Sequence, residues 1–96
     1  MSANRPIVLT IAGFDPSGGA GILADVKTFE QHRVYGFAIN TGNTIQTENE
    51  FFEMQWTDLN FVLKSLEKLF DNYSIKAVKI GIVPSLEYLK QIVFTI

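Results

Sequence analysis

The residues best suited to chemistry form one short block, Ala12-Gly13-Phe14-Asp15-Pro16-Ser17-Gly18-Gly19-Ala20-Gly21, which leads directly into an apolar-periodic stretch. Gly18, Gly19 and Gly21 let a ligand come close to the backbone, and the N-terminus of a following helix favours partial negative charge. A tight strand-to-helix connection whose glycines serve packing alone fits these residues equally well. The block is no Walker A loop, because Gly-Lys-Ser/Thr is absent. Gly19-Ala20-Gly21-Ile22-Leu23-Ala24 does fit the G-x-G-x-x-G/A pattern of dinucleotide sites. However, its first glycine lies well past Gly13, and the region where the ribose-binding acid belongs reads Asn40-Thr41-Gly42-Asn43. The dinucleotide reading is the weaker one.

Several single residues carry chemical potential beside a plainer role. Asp25 lies one turn into the helix that follows, between Ala24 and Val26. It is either a ligand-facing acid or a solvated first-turn carboxylate favoured by the helix dipole. Gln46 follows the second strand, where a carboxamide can offer donor and acceptor to the edge of a heterocycle; a lone loop glutamine is otherwise solvated. His32 sits near a helix C-terminus and reads as surface. Lys79 is unusual inside a strand, and the sequence assigns it no role.

The elements that must position these residues alternate. Residues 6–13 are a nearly continuous β-branched run ending in glycine, which suits a parallel strand covered on both faces. From about Ala20 to Arg33, Ile22, Leu23, Val26 and Phe29 make one helical face. Gly36 turns the chain into a second strand over 37–45, despite the poor strand formers Asn40, Gly42 and Asn43. Residues 46–56 read as irregular. Thr57 or Asp58 caps a helix burying Leu59, Val62, Leu63, Leu66, Leu69 and Phe70, and Asp71-Asn72 ends it. A third strand covers 75–82 with Ala77, Val78, Ile80 and Ile82, and Pro84-Ser85 opens a helix burying Leu86, Leu89, Ile92 and Val93. This β-α-β-α-β-α order implies a parallel sheet between helical layers with right-handed crossovers. Ligands then belong at the carboxyl ends of the strands, here 13–21, 41–48 and 81–85.

Composition narrows the classes. The chain is 47% hydrophobic and 19% charged with net charge −2 and no basic block, which argues against nucleic acid or an anionic membrane as partner. With no cysteine there is neither a disulfide nor a thiolate metal site, and one histidine makes no histidine cluster. The apolar run after Arg5 is broken by Thr10, stops at Asp15-Pro16 and lacks a small-x-small cleavage site, so it reads as a strand rather than a leader. No segment reaches the ~20 apolar residues of a membrane span. The expected location is cytoplasmic.

Together these pieces resemble a known family. Leu9-Thr10-Ile11-Ala12-Gly13-x-Asp15-Pro16-Ser17-Gly18-Gly19-Ala20-Gly21-Ile22-x-Ala24-Asp25-x-Lys27-Thr28-Phe29 looks like the N-terminal signature of the hydroxymethylpyrimidine/phosphomethylpyrimidine kinases of thiamine biosynthesis. Tyr35-Gly36, Gln46-Thr47 and Lys79-Ile80-Gly81-Ile82 continue the match in order. The resemblance implies a ribokinase-like three-layer α/β/α fold, with a parallel sheet of strand order 2-1-3 in this portion. It implies transfer of the γ-phosphoryl group of ATP, with Mg²⁺, to 4-amino-5-hydroxymethyl-2-methylpyrimidine or its monophosphate. Gly13 and Thr44 would then contact the pyrimidine through their backbones and Asp25 and Gln46 through their side chains. Ile82 would cover the ring where the family commonly has methionine.

Three departures accompany the match. Thr41-Gly42-Asn43-Thr44-Ile45 replaces a more apolar stretch, and Thr47-Glu48-Asn49-Glu50 differs from the family after the glutamine. In the family, the nucleotide site and its Gly-Thr-Gly anion hole lie in the C-terminal half, and nothing here matches them. Residues 1–96 are therefore expected to be one incomplete domain, with no catalytic residue, no metal ligand and no activity alone, from a protein that forms a homodimer at full length. A pyridoxal/pyridoxine-type kinase of the same superfamily, a non-catalytic pyrimidine-binding module and a nucleotide-dependent oxidoreductase are the other readings.

Overall fold

The computed structural model describes residues 5–96; residues 1–4 of the expected 1–96 unit lie outside the described part. Seven elements follow one another: β1 (Ile7–Phe14), α1 (Gly21–Gln31), β2 (Tyr35–Gln46), β3 (Phe51–Trp56), α2 (Leu59–Asn72), β4 (Ile75–Ile80) and α3 (Leu86–Thr95). The sheet order is β3-β2-β1-β4. β1 pairs in parallel with β2 and with β4, whereas β3 runs antiparallel to β2.

Three expectations about the sheet are corrected. The sheet is mixed and four-stranded, not an all-parallel 2-1-3 sheet, although the first strand does lie between the two parallel strands expected beside it. The extra strand is β3, inside the stretch read as irregular. The apolar alternation is in fact present, with Phe52, Met54 and Trp56 on one face and Glu53 and Gln55 on the other, so a strand was legible in this stretch even though every residue of it but Met54 is exposed. The third expected strand also ends earlier. β4 stops at Ile80, and Gly81–Val83 leave the sheet.

β1 is the centre of the molecule because its alternating side chains serve two layers. Leu9 and Ile11 point into a core with Ile39, Val62, Leu66, Tyr88 and Ile92, so α2 and α3 cover that face. Thr10, wholly buried, faces the other way and bonds to Asp25 of α1. The helices bury less than expected. No residue of α1 is fully buried, and Leu86 and Val93 of α3 are exposed while Tyr88 and Ile92 fill the core. The Tyr88 hydroxyl donates to the Thr57 carbonyl at 2.9 Å, which lets a polar aromatic occupy that position without an unpaired group. Burial, with the nearby Asp58 charge adding to it, pushes the Tyr88 hydroxyl above its ordinary pKa. Ser85 caps α3 by accepting from the Tyr88 amide. α1 ends in a Schellman turn, with Val34 N bonded to Phe29 O and Arg33 taking the left-handed conformation at φ 58°.

The residues that looked least like a strand build a bulge in β2. The register against β1 moves from Ala12↔Asn40 to Gly13↔Gly42, which leaves Thr41 without a β1 partner. The Asn40 side chain holds the bulge by accepting from Gly42 N and donating to Asn43 Oδ1, both at 2.9 Å. Gly42 is required here because β3 crosses closely. A Cβ at this position would lie 2.8 Å from Met54 Sδ and 3.1 Å from the Gln55 carbonyl oxygen. Gly42→Ala should therefore destabilise the protein by about 1–3 kcal/mol through overpacking, read as a melting temperature lower by several degrees. An unchanged melting temperature would show that β3 does not press on β2 in this way.

Candidate functional site

Gly13, Thr44, Gln46 and Ile82, drawn from three separate segments, meet at one cavity of about 310 Å³ beyond the carboxyl end of β1. The backbone explains why they meet. β1 ends in Gly13 and Phe14, the β2 bulge carries Thr44 and Gln46 past that end, and the segment after β4 folds over it with Ile82. Gly81 N donates to Ile11 O at 2.7 Å, and the buried Thr41 hydroxyl donates to Ile82 O at 2.8 Å. These two bonds aim the 81–82 segment at the cavity. The Thr44 hydroxyl donates to Phe14 O at 2.9 Å, closing the opposite side.

Gly13 owes its place to space. A Cβ there would stand 3.1 Å from Ile82 Cγ2, so the glycine keeps the floor open beneath that side chain. Ile82 is 53% exposed, an apolar residue free to cover a flat ring. Gln46 is half-buried in the wall, and among the described residues its carboxamide has no hydrogen-bond partner. Its donors and acceptor are thus available to a ligand.

Asp25 is the expected site residue that does not line the cavity. It stands behind the wall, with Oδ2 accepting from the Thr10 hydroxyl and from Lys79 Nζ, each at 2.7 Å. Lys79 lines the cavity itself, as do Met54 and Phe51 of β3. The sequence analysis named none of these three as site residues. The β3 pair needed that strand's place beside β2, and Lys79 shares β4 with Lys76, so a lysine within the strand did not by itself mark the cavity.

The glycine block forms the remaining rim through Asp15, Ala20 and Gly21. Asp15 Oδ1 accepts from the Ser17 hydroxyl at 2.7 Å and the Ser17 amide at 2.8 Å, tying the loop to itself. The Ser17 hydroxyl bond holds the Asp15 carboxyl below its ordinary pKa of 3.8 against the opposing effect of burial, and the amides of Ser17, Gly19 and Ala20 add to the lowering. Gly21 has φ +66°, and a Cβ there would collide with the Gly13 carbonyl oxygen. Only glycine lets α1 start this close to the end of β1. Among the described residues no group of three or more His, Cys, Asp or Glu could hold a metal ion.

Because the folded-state pKa of Asp15 is depressed, its stabilising contribution is complete above about pH 3.8 and is lost as the pH falls through the lower folded value. Asp15→Asn should therefore melt below the wild type at neutral pH, with the difference shrinking as the pH drops under 3.8. Melting curves from pH 7 to pH 2 would check this, and a constant gap would rule out the ionised loop anchor.

Comparison with known proteins places this arrangement in a family. A family model described as phosphomethylpyrimidine kinase matches residues 15–96. A hydroxymethylpyrimidine/phosphomethylpyrimidine kinase of Aquifex aeolicus is 41% identical over 81 residues, covering 84% of this chain and 32% of that protein. Its Escherichia coli counterpart is 40% identical over 75 residues, covering 78% of this chain and 28% of that protein. Among solved structures, phosphomethylpyrimidine kinase from Clostridium difficile superposes with a TM-score of 0.88 at 40% identity, over 95% of this chain and 39% of that one. An ADP complex of Bacillus subtilis pyridoxal kinase superposes with a TM-score of 0.85 at 32% identity, over 96% of this chain and 35% of that one. The chain spans about a third of the length of the relatives it matches. With the family model covering most of the sequence and the signature residues gathered at one cavity, the chain belongs to the phosphomethylpyrimidine kinase family.

Proposed function

We propose that this chain is the pyrimidine-holding part of a kinase that moves the γ-phosphoryl group of ATP to 4-amino-5-hydroxymethyl-2-methylpyrimidine or its monophosphate. The observation that carries the proposal is the convergence of Gly13, Thr44, Gln46 and Ile82 on one cavity, with the Gln46 carboxamide unpaired. A 4-aminopyrimidine offers ring-nitrogen acceptors and an amino donor on one edge, a pattern that one carboxamide meets in full. Ile82 lies against the ring face, and Gly13 leaves room for the ring plane. Asp25 contributes through the cluster behind the wall.

Such a kinase works by positioning and by charge stabilisation. The resemblance puts the nucleotide site, the anion hole and the group that handles the substrate hydroxyl proton outside residues 1–96. Those residues form one incomplete domain in this reading, and Mg²⁺ would arrive with the phosphates of ATP, which it binds through few protein carboxylates. The full-length protein would be a cytoplasmic homodimer, and the net charge of −2 with no basic block in this chain argues against nucleic acid or an anionic membrane as partner.

The likeness to pyridoxal kinase structures favours one second reading, a pyridoxal/pyridoxine-type kinase, because the backbone of this part is nearly shared. Competition separates the two. Full-length protein given Mg-ATP with hydroxymethylpyrimidine and pyridoxal should phosphorylate the pyrimidine with the higher kcat/KM; a preference for pyridoxal would replace the proposal with the second reading. Residues 1–96 alone should yield no phosphorylated product by phosphorus NMR, since loss of pre-positioning by itself forfeits roughly 7–11 kcal/mol of barrier reduction.

In the full-length protein, Gln46→Ala should weaken pyrimidine binding by about 1–3 kcal/mol, because polar ligand atoms lose their partner. The KM for ATP should stay within about twofold, an energy change well under the 1.4 kcal/mol of a tenfold effect. An unchanged pyrimidine KM would remove Gln46 from the site.

A further inference from the structure

Lys79 lies directly beside Thr10 in the β1–β4 register, so both side chains leave the sheet on the face covered by α1. Asp25, from α1, brings one carboxylate oxygen to both of them at 2.7 Å. Thr10 is wholly buried, the Asp25 side chain is 17% exposed and the Lys79 side chain is 50% exposed. The cluster thus runs from the interior to the cavity wall. It also joins elements that the sheet does not join. α1 packs on β1 and β2, and the Lys79–Asp25 ion pair ties it to β4. The stretch immediately before Asp25 is the rim of the cavity, with Ala20 and Gly21 at the start of the same helix.

The geometry points to Lys79 as a positioning residue. We propose that it clamps Asp25, and through Asp25 the start of α1 and the glycine block, against the end of the sheet, and so sets the shape of the cavity that receives the substrate. Oδ1 of Asp25 accepts no hydrogen bond among the described residues, so the clamp leaves one carboxylate oxygen unengaged. An ion pair whose lysine is half in solvent adds little to global stability. Its consequence is local, confined to the elements it joins. In its kinetic arm the proposal rests on the pyrimidine-kinase reading, while its structural arm is independent of it.

The test uses the full-length protein with Lys79→Met, Lys79→Gln, Asp25→Asn, the Lys79→Met/Asp25→Asn double variant and Lys79→Arg. Amide hydrogen exchange over residues 15–27 should quicken about fivefold in each single loss variant, with the rest of the sheet unchanged and the melting temperature within a few degrees. The double variant should add no further change, because Lys79 acts through Asp25, and Lys79→Arg should stay near wild type. The KM for hydroxymethylpyrimidine should rise by a similar factor of about five, with kcat and the KM for ATP within about twofold. Unaltered exchange over 15–27, or effects that multiply in the double variant, would overturn the clamp. A raised KM with unaltered exchange would make Lys79 a direct substrate contact instead. Faster exchange with an unchanged pyrimidine KM would deny that the clamp positions substrate. Should the wild type not act on the pyrimidine at all, the functional reading fails, and the exchange data alone uphold or overturn the clamp.

Discussion

The burial of β1 between two parallel neighbours and two helical layers is the constraint on which the other features depend. A strand in that position has no free edge and no free face, so every side chain on it must meet a partner. Leu9 and Ile11 meet the α2/α3 core, and Thr10 meets Asp25. A polar side chain with no exposure is tolerated only when hydrogen-bonded. The buried Thr10 therefore calls for a partner on α1, and Asp25 in turn brings in Lys79. The carboxyl end of β1 is the one part of the strand left open, and the cavity forms there because nothing in the sheet covers it.

The cavity is shaped less by its lining side chains than by hydrogen bonds that fix the backbone around it. Thr41 reaches across to the Ile82 carbonyl, Thr44 to the Phe14 carbonyl, and Gly81 N to Ile11 O. Each bond joins segments far apart in the chain and satisfies a carbonyl where regular strand pairing has stopped. The β2 bulge makes the first of these possible, since it frees Thr41 from pairing with β1. The stretch 41–45 thus performs a definite local task. Its Thr41 and Thr44 hydroxyls bond to backbone carbonyls on either side of the cavity.

Glycines divide into two kinds around this site. Gly21 is needed for its dihedral angle and for its approach to Gly13 O, whereas Gly13 and Gly42 are needed for the volume that a methyl group would take from Ile82 and Met54. The two kinds look alike in sequence. Their different reasons appear only when the neighbouring segments are in place, which is why the glycine block on its own fits a packing turn as well as a ligand loop.

The sequence by itself determined the alternating α/β order, the two parallel neighbours of the first strand, and the strand ends at which the site lies. These follow from short-range patterns: β-branched runs, a helical apolar stripe, and turn residues at each break. The family resemblance, rather than any local pattern, nominated Gly13, Thr44, Gln46 and Ile82, and the fold gathers these four at one cavity. Only the tertiary structure decided where residues 51–56 go: the Phe52-Met54-Trp56 alternation marks a strand locally, but its antiparallel place beside β2 is set by pairing. Only the fold moved Asp25 from the cavity wall to a cluster behind it, and gave Lys79 its place between the two. Both depend on which residues of separate strands and helices stand side by side, and that is a property of register, which no local pattern encodes.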